Sequence, residues 1–271
     1  MNQRIAFIGG GNMASAIIGG LIQQGIAPQD IDVLEPFDEA RNKLRASFGI
    51  QAQAQPDSFL GDAGLVVWAI KPQIFRQAAQ AAASYTLPAL HLSVAAGIRS
   101  DSMVTWLGSA RIVRAMPNTP ALVGKGMTGL FACAGVSQED RVRVSHVLAS
   151  TGELLWLDTE EKLDVVTALS GSGPAYVFYF MEAMITAGVE MGLSREQAHQ
   201  LAIATFVGSS ELAYASGESP QVLRQRVTSK GGTTYAAISS MEDNDMRALF
   251  IDAIYAARER AKALGDEFGG S

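Results

Sequence analysis

Arg4-Ile5-Ala6-Phe7-Ile8-Gly9-Gly10-Gly11-Asn12-Met13-Ala14 decides the fold. Residues 4–8 read as a short buried strand, and from Ser15 to Gln24 the apolar positions Ile17, Ile18, Leu21 and Ile22 recur at helical spacing. Strand, then Gly-x-Gly-x-x-Ala, then helix is the dinucleotide-binding fingerprint in its required context. Gly9 lets the chain turn sharply, Gly11 lets the backbone approach a pyrophosphate, and Ala14 lets the helix pack close to the strand. Backbone N–H groups at the helix start, around Asn12 and Met13, then face the phosphates.

The sequence on either side repeats this alternation. Ile31–Glu35 reads as a second strand ending in an acid, and Glu35 lies 21 residues past Ala14, close to the spacing at which an acid reaches the adenosine ribose hydroxyls. Pro36 stops that strand and residues 37–48 carry a helix. Leu65–Ile70 is a continuous apolar run, as expected of a strand buried on both faces of a parallel sheet. It ends at Lys71-Pro72, and because ligands sit at the carboxyl ends of such strands, Lys71 is expected to point towards the cofactor cleft. A helix over 73–84, a strand over 89–94, a helix over 100–107 and a strand over 111–115 follow, which predicts a doubly wound, mostly parallel sheet. Pro117-Asn118-Thr119-Pro120 fixes a loop. An apolar stretch to Ala134, a helix over 137–149 and a strand over 153–157 complete this domain, with its boundary set at residue 158.

From 159 to 271 strand patterns vanish and six segments read as helices: 160–169, 174–191, 194–214, 220–227, 234–241 and 245–264. Ser194 with Gln197 forms a capping box, and Pro174 suits a first helical turn. The helix from Pro174 carries Tyr176 to Met181, Met184 and Ile185, so it is apolar on every side and should be buried all round. Glu182 breaks the run well short of the ~20 apolar residues a membrane span needs. A helical domain of this size rarely encloses one helix by itself, so a partner subunit is expected to complete its core.

Composition bounds the rest. At 271 residues, 48% apolar and 18% charged, the chain is an ordinary globular protein of about two domains. A net charge of −6 with no run of Lys and Arg argues against nucleic acid. The one cysteine, Cys133, excludes an internal disulfide and a multi-cysteine metal site, and His91, His146 and His199 show no ligand spacing, so no metal is expected. Each histidine is expected at the surface or half-buried with a partner. No signal or transit pattern precedes the first strand, which predicts a reduced, cytoplasmic setting.

Thr228-Ser229-Lys230-Gly231-Gly232-Thr233-Thr234 joins two helices, is rich in hydroxyls, and exposes backbone N–H groups just before a helix start. Such a segment suits a carboxylate. Ser170-Gly171-Ser172-Gly173 either acts similarly or caps the long helix. No Ser/His/Asp set, carboxylate pair or ligand cluster can be picked out. A ketone or alcohol substrate would call for a titratable group beside the reacting oxygen. An imine does not, because its nitrogen is basic enough to be protonated from solvent; orientation then matters most.

These stretches together resemble a known family. Ala115–Pro120, Ser170–Tyr176 and Ser229–Thr234, with the glycine loop before Asn12-Met13 and the turn Ala69-Ile70-Lys71-Pro72, look like pyrroline-5-carboxylate reductase along nearly the whole chain. The resemblance implies reduction of 1-pyrroline-5-carboxylate to L-proline, the last step of proline synthesis, with NADPH or NADH. It also implies an N-terminal Rossmann domain (1–158) and an all-α substrate-binding and dimerisation domain (159–271) that assembles a homodimer or a larger ring. Matched by position, Gly9, Gly11, Asn12, Met13 and Ala69 to Pro72 contact the cofactor, with Asn118 near the nicotinamide. Ser229, Gly232 and Thr233 bind the substrate carboxylate, and Thr234 lies beside the ring nitrogen as the suggested proton donor. Lys230 stands where many members carry proline. Glu35 would accept from a free ribose 2′-OH and repel a 2′-phosphate, and no Arg or Lys comes before Arg41. A β-hydroxyacid dehydrogenase, which carries a Lys on the corresponding long helix, is excluded by Val177, Phe178 and Met181.

Overall fold

A computed structural model describes residues 4–269. Packing divides the chain into two compact units, 1–172 with 256–271, and Gly173–Tyr255.

The first unit is built on β1 (Ile5–Ile8), β2 (Ile31–Leu34), β3 (Leu65–Trp68), β4 (Leu90–Ser93), β5 (Ile112–Met116), β6 (Gly126–Ala132) and β7 (Gly152–Trp156), in the order β2-β1-β3-β4-β5-β6-β7. The first five run parallel; β6 is antiparallel to β5, and β7 is parallel to β6. Side chains alternate between two cores, as a period of two demands. Phe7, Val33, Val67 and Leu92 face α1 (Asn12–Gln23) and α5 (Gln138–Leu148). Ala6, Ile8, Val66 and Trp68 face α3 (Pro72–Thr86) and α4 (Ser100–Leu107). α2 (Asp38–Phe48) contributes only Leu44 to the buried set. Being covered on both faces explains why β1, β3 and β4 are buried at every residue.

β6 is the strand hidden from sequence reasoning. Its glycines depress strand propensity, but Gly129 is needed where Val166 comes within 2.9 Å of the position a Cβ would take. Val166 ends α6 (Lys162–Val166), which continues into a π-helical turn, Thr167–Gly171, closed by the Ser172 N–H donating to the Thr167 carbonyl at 2.8 Å. Leu163 and Ala168 are buried, so this segment packs with the first unit, past the domain boundary expected at 158. The end of α11 (Met246–Gly269) belongs to the same unit: Arg99 lies 3.8 Å from Asp164 and 3.4 Å from Asp266, and a Cβ on Gly97 would meet Leu264 and Phe268.

His91 departs from expectation. It is wholly buried in β4, where Nδ1 accepts from Trp68 Nε1 at 3.1 Å and Nε2 has no hydrogen-bond partner among the described residues. Burial, aided by the Arg111 charge, lowers its pKa to about 4, so the ring is neutral. His146 and His199 are exposed, as expected.

The second unit is helical throughout its described residues: α7 (Gly173–Glu190), α8 (Arg195–Ser216), α9 (Pro220–Arg226), α10 (Thr233–Asp243) and the start of α11. Ser194 and Gln197 form the expected capping box at α8. Tyr176 and Phe180 of α7 pack edge-on against Phe250 of α11, with ring centroids 5.8 and 5.5 Å apart. Yet Gly188 is the one buried residue of α7, and Phe178, Tyr179, Leu201, Tyr214 and Leu249 are all exposed. The chain does not by itself enclose the helix that was expected to be buried all round.

Candidate active site

Crossovers leave β1 for β2 on one side and pass from β2 to β3 on the other, so the order 2-1-3 places a topological switch point between β1 and β3. The loops leaving the carboxyl ends of these strands part there, and the crevice between them is where open α/β sheets bind ligands. Gly9 has φ +97, and a Cβ on it would lie 2.6 Å from the Ala69 carbonyl oxygen. The two loops are therefore in backbone contact. Ala69 N–H donates to Ile8 O at 2.9 Å and Gly9 N–H to Leu34 O at 2.8 Å, so the sheet ladder itself fixes the loop. Gly11 is different: its backbone is ordinary and extended (φ −71, ψ −169), it is exposed, and among the described residues no atom beyond its chain neighbours lies within 4 Å of where its Cβ would be. It caps α1 with no side-chain hydrogen bond, leaving the N–H groups of the first turn, from Asn12 and Met13 onwards, open for an anion. α3 also starts without a side-chain cap, from Lys71 with Pro72 in its first turn; Lys71 is exposed, and Ala69 and Ile70 are half-buried.

Glu35 sits at the carboxyl end of β2 but is turned inward, and the residue is 6% exposed. Oε2 accepts from Gly10 N–H at 2.8 Å and Oε1 from Phe37 N–H at 2.9 Å. The carboxylate thus braces the glycine loop, a role the sequence did not suggest, although Gly10 is the neighbour of both fingerprint glycines. A carboxylate has about four acceptor sites, so two remain for ribose hydroxyls. The open α1 terminus, the empty space at Gly11 and the acid against Gly10 fit a dinucleotide.

Asn118 uses its side chain within the protein. Nδ2 donates to the Ser170 carbonyl at 3.1 Å and Oδ1 accepts from Met127 N–H at 2.9 Å. The amide therefore ties the Pro-Asn-Thr-Pro loop both to β6 and to the π-helical turn. In the same unit, Glu160 accepts from Arg114 Nη1 at 2.5 Å, from Ser100 N–H at 2.7 Å and from Ser100 Oγ at 2.6 Å. This network also escaped sequence reasoning; its signal is an arginine inside an apolar strand. The single thiol, Cys133, is pushed above its ordinary pKa by burial and is no nucleophile at neutral pH.

Ser229, Gly232, Thr233 and Thr234, expected to meet the substrate, lie together in the second unit. Gly231 has φ +75, and Gly232 N–H donates to Ser229 O at 3.0 Å, closing a tight turn that feeds α10. Gly232 caps α10 without a side-chain bond, so the N–H groups of Thr233 and Thr234 have no partner within the helix. Ser229, Lys230 and Thr233 are exposed and Thr234 is half-exposed. Backbone donors, two threonine hydroxyls, Ser229 and the Lys230 charge are grouped within one turn.

Comparison with known proteins matches residues 160–264 to a family model described as pyrroline-5-carboxylate reductase dimerisation, and residues 4–97 to one described as NADP oxidoreductase, coenzyme F420-dependent. A pyrroline-5-carboxylate reductase of Pseudomonas aeruginosa is 44% identical over 268 residues, covering 98% of each chain. A solved structure of the enzyme from Coxiella burnetii aligns with TM-score 0.90 at 37% identity, covering 97% of this chain and 99% of the other. The Plasmodium falciparum enzyme, solved with NADP bound, aligns with TM-score 0.87 at 30% identity, covering 97% and 98%. Identity at this level, sustained over both units, establishes that the chain belongs to the pyrroline-5-carboxylate reductase family.

Proposed function

We propose that the glycine loop of the first unit and the Ser229–Thr234 turn of the second carry out the reaction of this family, the NAD(P)H-dependent reduction of 1-pyrroline-5-carboxylate to L-proline. The observation that supports these assignments most is that α1 and α10 begin with unoccupied backbone donors, one beside a dinucleotide fingerprint and the other among hydroxyls. The reduced nicotinamide, when bound, supplies the hydride. Asn12 and Met13 N–H groups hold pyrophosphate oxygens, Gly11 leaves room for them, and Glu35 accepts from the ribose. Ala69 to Pro72 line the crevice, Lys71 adds a positive charge to the anionic cofactor's side, and Asn118 fixes the loop near the nicotinamide.

On the substrate side, Ser229 Oγ and the N–H groups of Thr233 and Thr234 hold the carboxylate, with Gly232 leaving room for the Ser229 side chain, whose Oγ lies 2.9 Å from where a Cβ would be. The Thr234 hydroxyl orients the ring nitrogen, which enters already protonated. The protein works as a homo-oligomer through its helical unit, with the exposed aromatic and aliphatic face of α7, α8 and α11 as the contact. No described helix is long and apolar enough to cross a membrane, and we assign the protein to the cytoplasm, in keeping with its single cysteine. The test follows NADH and NADPH oxidation in parallel with pyrroline-5-carboxylate, identifying proline as product. No proline with either cofactor would overturn the assignment.

A further inference from the structure

We infer that this chain selects NADH over NADPH, and that the Asp38–Arg41 pair is the device that withholds a cation from a 2′-phosphate. The inference deepens the proposed cofactor site and rests on it. At the end of a second strand in this fold an acid accepts from the 2′-hydroxyl, whereas NADP needs an arginine nearby to take the phosphate. Here the acid cannot swing aside at little cost, because Glu35 is buried and accepts from both Gly10 N–H and Phe37 N–H. A phosphate dianion would come up beside a fixed negative charge.

The first basic residue after Glu35 is Arg41. Its Nη1 donates to the Glu35 main-chain oxygen at 2.9 Å and its Nη2 is paired with the Asp38 carboxylate. The guanidinium is thus present at the right end of β2 but neutralised, and its donors point at the protein. α2 begins here too, with no side-chain cap, and would offer a phosphate its open N–H groups. Instead its first turn holds Asp38 and Glu39, whose charges oppose any added anion. A fixed acid, an occupied arginine and an acidic helix start all act in the same direction.

Asp38 is highly exposed, with a side chain 84% accessible, so replacing it threatens no core. Dissociation constants for NADH and NADPH are measured on the purified full chain without substrate, by calorimetry. Wild type is expected to bind NADH at least tenfold more tightly. Asp38→Asn should cut that NADPH-to-NADH ratio at least fivefold by releasing Arg41, and the double variant Asp38→Asn/Arg41→Ala should restore it. A wild type that binds NADPH as well as NADH, or a ratio that Asp38→Asn leaves unchanged, overturns the inference while leaving the cofactor site standing. Failure to bind either nucleotide overturns the site and the inference together.

Discussion

Gly9 and Gly11 stand two residues apart in one loop but in different surroundings, and alanine substitution should separate what each does. At Gly9 the backbone is left-handed at φ +97 and the new Cβ would lie 2.6 Å from Ala69 O and 2.7 Å from Ile70 Cγ2. The left-handed conformation costs an L-residue roughly 1–2 kcal/mol, and forcing a methyl into packed surroundings costs typically about 1–3 kcal/mol more. Because Ala69 O is main chain and held in the β3 exit, it cannot yield easily; Gly9→Ala should lose about 2–5 kcal/mol of stability and disorder the crevice. At Gly11 the angles are ones any residue adopts and the Cβ meets nothing. A slightly poorer helix cap, and an unfolded chain with less freedom, offset one another to within about 1 kcal/mol. The methyl would instead stand where the pyrophosphate comes in, so Gly11→Ala should weaken cofactor at least about tenfold, or roughly 1.4 kcal/mol. Urea unfolding and calorimetric titration with NADH on both variants read the two effects. A Gly11→Ala protein that binds NADH like wild type, or a Gly9→Ala protein of full stability, would refute this division of labour.

Three further outcomes are expected. His91, neutral in the fold with a pKa of about 4 against an ordinary 6.5, takes up a proton on unfolding at acid pH; its share of stability is intact above pH 6.5 and falls by about 3 kcal/mol as pH drops to 4. The urea midpoint of wild type should therefore fall more steeply below pH 6.5 than that of His91→Leu, and parallel pH slopes would count against it. Thr234→Ala should lower kcat/KM by roughly 10–100-fold, about 1.4–2.7 kcal/mol, by a similar factor at every pH, while Ser229→Ala raises mainly KM; recovery of Thr234→Ala at low pH would instead mark Thr234 as the proton donor. Phe178→Glu, on the exposed face of α7, should break an obligate dimer whose interface exceeds ~2,000 Å², and a fully active monomer in light scattering would contradict that.

Much of this was legible in the sequence where one local rule sufficed. β1, β3 and β4 are uninterrupted apolar runs because both their faces are covered, and the capping box at Ser194 marks α8 to the residue. β6 was not legible because the reasons for its glycines lie elsewhere in the chain: a Cβ on Gly129 would meet Val166, 37 residues away, and one on Gly126 would meet the Thr151 carbonyl oxygen. Nor was the π-helical turn at Thr167–Gly171, since one extra residue in a helix leaves its apolar period almost unchanged. For the site, sequence brought residue types to notice but not the direction of their side chains. Glu35 was expected to face a ligand and also braces Gly10; Asn118 was expected beside the cofactor and spends its amide on Ser170 and Met127. Direction is set by partners distant along the chain, which no local pattern records.

How the helix starts are finished connects the two halves of the proposed site. Four of them satisfy their own donors: Ser137, Ser194 and Ser219 accept from α5, α8 and α9, and Glu160 takes the Ser100 N–H of α4. Each such cap is worth about 1 kcal/mol, and serine is plentiful enough in this chain for the others to have been closed in the same way. α1 and α10 are instead preceded by Gly11 and Gly232, which bring no side-chain acceptor and no bulk. In each case the stability forgone leaves open donors and a positive dipole end; beyond Gly11 the space is clear, whereas at Gly232 it is taken by Ser229, whose Oγ a Cβ would meet at 2.9 Å. The proposed ligands carry anionic groups for both places, a pyrophosphate for α1 and a carboxylate for α10. Since an anion bound at either end supplies the missing acceptor, cofactor and substrate should each stabilise the helix they touch, and the stability left out of the empty protein returns as affinity.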